Sequence, residues 1–144
     1  MSTPVEQLFP DARDAKAALA GLLLFYGHWD LSHQVSQDVE SPEGSYWHAI
    51  AHRIEPDSSN AGYWFGRVGD HPIFGSIYTA AKALLSSANT GWRLKNSWDP
   101  HLFIAWCDEG RSLIGSEKHR LACEIQHLEC NRLFAWCALK TKGL

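Results

Sequence analysis

No run of lysine and arginine stands out in these 144 residues, whose formal net charge is −3. A nucleic-acid or anionic-membrane partner would leave a basic patch, so neither is expected. Long apolar runs are missing too. The longest purely aliphatic one is Leu22-Leu23-Leu24, far short of the ~20 residues a bilayer-spanning helix needs. The opening stretch, MSTPVEQLFPDARDA, is acidic and lacks the apolar core of a signal peptide. A cytoplasmic protein is expected. No segment alternates apolar and polar residues as a half-buried strand does. Nor is there a C-x-x-C pair among Cys107, Cys123, Cys130 and Cys137. Three of these recur every seven residues on one expected helix, ~10 Å apart and too far for a disulfide. They read as small buried hydrophobes rather than as a thiolate metal site.

What is there is ordinary for a globular domain. Hydrophobic residues make up 45% of the chain, which argues against disorder, and the length suits one domain with a real core. The pattern predicts an all-α fold of about seven helices, with residues 1–10 as an arm and 11–144 as the domain. A first helix is expected over 11–27, capped by Asp11 and ended by Gly27. A second follows over 30–40, with Leu31, Val35 and Val39 facing the core and His33, Gln37 and Glu40 on its other side. Ser41-Pro42-Glu43-Gly44 reads as a turn. A third helix spans 45–55 with Trp47, Ile50, Ala51 and Ile54 as its apolar stripe, and Pro56 stops it. Asp57 or Ser58 caps a fourth over 59–68, in which Ala61, Phe65 and Val68 point inward. These four pair into two αα-hairpins resembling tetratricopeptide-type repeats with a period of about 28 residues, too few copies for a solenoid. A fifth helix starts at Pro72, a sixth at Asp99-Pro100. A long last helix from 117 to about 140, capped by Ser116 and apolar on two sides, is expected at the centre.

The chemistry-bearing residues concentrate in 46–72. His48, His52 and Glu55 stand at i, i+4, i+7 on one helix face, away from the Trp47/Ile50/Ile54 stripe. Asn60, Trp64 and Arg67 repeat that spacing on the next helix, and His71 extends the line. If the two helices pair, the stripes converge on one cleft. His-x-x-x-His on a helix suits a divalent metal, with Glu55 as a further ligand or as the partner that fixes a histidine tautomer. Ala49 occupies the position of the metalloprotease glutamate, which argues against a zinc protease. Alternatively, Arg53 or Arg67 holds a carboxylate or phosphate, Trp64 stacks on a ring, and His48, His52 and Glu55 act as acid and base. Plainer readings compete. The histidines can lie on a solvated face or be buried with backbone partners, Glu55 can pair structurally with Arg53 or Arg67, Asp57 and Asn60 can be caps, and Trp64 can be core.

The series His48, His52-Arg53, Glu55-Pro56-Asp57, Asn60, Tyr63-Trp64, Arg67-Val68-Gly69 and His71-Pro72 resembles a family of small uncharacterised bacterial and fungal helical proteins. The resemblance extends towards Glu129 to Cys137. It departs at Gly66, where a second basic residue is expected, which argues against a two-arginine anion clamp. It implies a site and no particular reaction. The expected function is therefore binding of a small molecule, with a metal possible on His48 and His52. The cleft would be lined by His48, His52, Glu55, Asn60, Trp64, Arg67 and His71. The alternative is a helical-repeat module whose polar stripe receives a protein partner.

Overall fold

Five side chains start five helices. Asp14 accepts a hydrogen bond from Ala17 N, Ser41 from Gly44 N, Asp57 from Asn60 N, Asp99 from His101 N and Ser116 from His119 N. Each satisfies an amide that the first helical turn leaves unpaired. The computed structural model describes residues 3–140. Within them lie α1 (Val5–Leu8), α2 (Ala15–Phe25), α3 (Trp29–Gln37), α4 (Pro42–Ile54), α5 (Ser58–Val68), α6 (Phe74–Ser86), α7 (Pro100–Ser112) and α8 (Glu117–Ala138), and no strand. The all-α class is as expected. The first two residues of the expected arm and residues 141–144 of the expected domain lie outside the described part.

Several expectations need correcting. The arm contains a single helical turn, α1, which makes eight helices rather than about seven. Asp14, not Asp11, caps the first long helix. Ser41-Pro42-Glu43-Gly44 is not a turn but the cap and first turn of α4, with proline at the position where its missing N–H is harmless. α6 begins at Phe74, two residues after Pro72. Gly27 and Gly69 do end α2 and α5, with φ of 80° and 68°, the left-handed region that glycine enters without a Cβ clash.

The most enclosed helix is α4 and not α8. Residues 44–53 are buried without interruption, because α4 packs on α2, α3 and α5 and its polar face is covered as well as its apolar one. α8 packs on α2, α6 and α7, but Cys123 is exposed on it and Leu139 lies just past its end, 48% exposed. Ile54 is exposed too, while Arg53 beside it is wholly buried. On α3, Val35 and Val39 pack against the core as expected, but the first residue of that stripe does not. Leu31 is 49% exposed, whereas Ser32 and Ser36 are buried. Ser32 lies against α2, and its Oγ donates to Ala20 O at 2.7 Å. α2 meets α4 at Gly21, where a Cβ would strike the Trp47 indole. The irregular segment between α6 and α7 lies over the bundle: Trp98 is buried, and Trp92 stacks on Trp106 at 4.8 Å.

Arg53 is tied to α8. Its Nη2 lies 2.5 Å from Glu129 Oε1, both side chains fully buried. Tyr46 Oη donates to Glu129 Oε2 at 2.9 Å, and Gln126 Oε1 accepts from Arg53 Nη2 at 3.2 Å. Burial alone would favour a neutral Arg53, but Glu129 beside it more than reverses that, so the guanidinium stays charged. Arg53 is therefore not available to hold a ligand, and Glu55 does not pair with it. Burial pushes the neighbouring Cys107 and Cys130 thiols up to about 11 and about 12, so both remain protonated and unreactive.

Candidate metal centre

α4 carries His48 and His52 one turn apart on the side that faces α3. α3 brings a third imidazole, His33, onto them. The three Nε2 atoms meet at one point: His33 to His48 is 3.0 Å, His48 to His52 is 3.1 Å and His33 to His52 is 3.3 Å. Each ring nitrogen has one in-plane direction, occupied by either a proton or a lone pair. Three of them aimed at one another can share one good hydrogen bond between two rings, and the third is left facing them. A metal ion removes that conflict, because it accepts a lone pair from each. Three donors ~2.1 Å from one ion are ~3.4 Å apart at tetrahedral angles and ~3.0 Å apart at right angles. The observed separations fall in that interval.

The surroundings favour neutral rings at His33 and His48 and an inward lone pair at His52. His52 Nδ1 lies 2.8 Å from Glu55 Oε2. A neutral imidazole that donates from Nδ1 to the carboxylate keeps its lone pair on Nε2, the usual carboxylate–histidine arrangement behind a metal ligand. His48 is buried, and its Nδ1 has no hydrogen-bond partner among the described residues. Its ring is held by Trp64 of α5, stacked at 3.9 Å. Burial first, then the His33 and His52 rings, push the His48 pKa down to about 4. His33 is lowered too, by burial and then by His52, against the opposing pull of Glu55 and Asp30. Trp29 lies parallel to His33 at 5.0 Å and donates from Nε1 to Ala51 O at 2.8 Å, which joins α3 to α4 beside the cluster.

An imidazole that is harder to protonate folded than unfolded leaves the unfolded state binding more protons. Stability then rises with pH across that window. The chelator-treated protein should accordingly lose thermal stability as pH falls from about 6.5 to about 4, the interval between the unfolded and folded titrations of His48. His48→Gln should flatten that slope. An equal slope in the variant would show that other groups set it.

The remaining candidates separate. Asn60 Nδ2 donates to Asp57 Oδ2 at 2.7 Å, so both residues serve the exposed cap of α5. Arg67 is exposed, 3.4 Å from Tyr63 Oη, with its guanidinium 5.3 Å over the Trp64 ring. It reaches the histidines only through that indole. His71 is elsewhere: Nε2 lies 2.6 Å from Glu43 Oε2, Nδ1 accepts from Ile73 N, and Tyr46, Phe74 and Trp136 surround the ring. The seven residues therefore do not line one cleft. A cavity of about 260 Å³ between α2, α4 and α8, with Trp47 and Ile54 in its wall, includes none of them. His52, Glu55 and Asp57 form a second group with metal-ligating atoms within 4.8 Å of one another, but the acids there already serve as tautomer partner and cap.

His33 is the residue that sequence reasoning missed. A core stripe of Leu31, Val35 and Val39 puts His33 on the other side of α3; Val35 and Val39 do pack on the core, but Leu31 is exposed and His33 meets α4. The usable signal was a third histidine on the helix next to an His-x-x-x-His pair. Comparison with family models, with curated proteins and with solved structures finds no match for the chain.

Proposed function

We propose that the protein binds one first-row divalent metal ion through Nε2 of His33, His48 and His52, and uses it to hold a small ligand. The carrying observation is the mutual approach of three imidazole nitrogens to within 3.3 Å. Neutral imidazoles suit zinc, copper, nickel and iron. They leave the ion its full charge and, with only three protein ligands, an open position for water or an anionic or polarisable oxygen. Glu55 orients His52, Trp64 walls His48, and Arg67 stands behind Trp64. The protein-interaction alternative has no comparable observation behind it.

The test is calorimetric titration of untagged, chelator-stripped protein with Zn(II), repeated with Co(II), whose absorption spectrum reports ligand number. One ion per chain is expected, with a four-coordinate Co(II) spectrum. No saturable binding, or binding unchanged when all three histidines are alanine, would end the reading. Glu55→Ala should weaken Zn(II) binding about 10- to 100-fold, the usual effect of removing an outer-shell partner, without changing the stoichiometry. An unchanged affinity would mean that Glu55 does not set the His52 tautomer.

A further inference from the structure

We infer that α3 is a latch which the bound metal holds closed. The inference rests on the three-histidine reading above and concerns what the ion controls. His48 and His52 share α4, the most enclosed helix, whereas His33 is the single ligand from α3. α3 packs along α2 and α4 with Val35 against the core, but it buries no large side chain completely. Its fully buried residues are Ser32 and Ser36, while α4 buries Trp47 and Ile50, α5 buries Phe65 and α8 buries Leu133. Its side-chain hydrogen bonds to neighbouring helices are Trp29 Nε1 to Ala51 O and Ser32 Oγ to Ala20 O. Both of its ends are turns: Gly27 at φ 80° precedes it, and residues 38–41 separate it from α4.

Without an ion, three converging nitrogens are frustrated, since one proton serves two of them and the third faces a lone pair or a second N–H. The least costly relief is movement of the one ring of the three that is half-buried, on a helix that buries no large side chain completely. His33 packs edge-on to His48 at 4.5 Å and to His52 at 4.9 Å. Lifting α3 therefore uncovers the two ligands on α4. An ion that binds only the closed arrangement must shift this opening equilibrium by 1 + [M]/Kd, about 100-fold at a free concentration 100 times Kd. Metal availability thus becomes accessibility of the α4 face beneath α3.

The experiment is amide hydrogen exchange on the untagged full chain, in chelator and at free Zn(II) 100 times the Kd measured by calorimetry. In chelator, α3 amides are expected to exchange much faster than those of α8, as a local opening does. With Zn(II) they should slow about 100-fold, up to the limit set by global unfolding, and chelator should reverse this. In His33→Ala, which has no metal ligand on α3, Zn(II) should leave α3 exchange unchanged. Zn(II) binding that leaves α3 exchange unchanged overturns the latch while sparing the metal site. So does α3 as protected as α8 in chelator. Absence of binding in the calorimeter overturns both.

Discussion

Replacing His33 with alanine should lower Zn(II) affinity by more than about 100-fold, beyond the range seen when an outer-shell partner is lost. The residue is remote in sequence from the His48/His52 pair and lies on a helix whose buried residues are two serines, so little else is lost with it. Two imidazoles on adjacent turns remain, and they bind ions only weakly without the third donor. His71→Ala is the matched control. That histidine is buried and bonded to Glu43, away from the cluster, and its loss should leave Zn(II) affinity within about twofold. Competition against a chelator of known affinity measures both. A His33→Ala effect below about tenfold would place the ion elsewhere, with the His52–Glu55–Asp57 group the next candidate.

Glu129→Ala should destabilise the fold by about 3–5 kcal/mol, the cost of leaving one member of a buried ion pair without its partner. Three groups lose by it: Arg53, at 2.5 Å and fully buried, Tyr46 Oη, and indirectly Gln126. Against a typical total stability of about 5–15 kcal/mol this is a large share. The double variant Arg53→Met with Glu129→Met should recover most of the loss, because apolar replacements of similar volume remove the desolvated charges together. Urea denaturation reads both. A loss under about 1 kcal/mol for Glu129→Ala would mean that water reaches Arg53. Because Arg53 follows His52 directly on α4, this pair also fixes the rotation of the helix that aims two ligands at the third.

Local signals were readable in the sequence and distant pairings were not. The caps at Asp57, Asp99 and Ser116 act within three residues of themselves, so they were visible. Asp11 and Asp14 both satisfy the cap rule, and only the structure distinguishes them. The i, i+4 spacing put His48 and His52 on one face of α4. It could not supply His33, which comes from another helix, nor Glu129, which lies 76 residues from Arg53. Periodicity reads polar side chains as outward. On α4 they are inward because partners on α3 and α8 meet them there. Small-residue packing misled in the same way on α3, where Ser32 and Ser36 are buried and Leu31 is not.

The most direct measurement is nitrogen-resolved NMR of the histidine rings during Zn(II) titration of untagged, chelator-stripped protein. Three rings, His33, His48 and His52, should bind through Nε2 at one equivalent of metal, with His52 Nδ1 keeping its proton and donating it to Glu55. Rings that do not respond, or Zn(II) on His52 Nδ1, would contradict the three-imidazole centre.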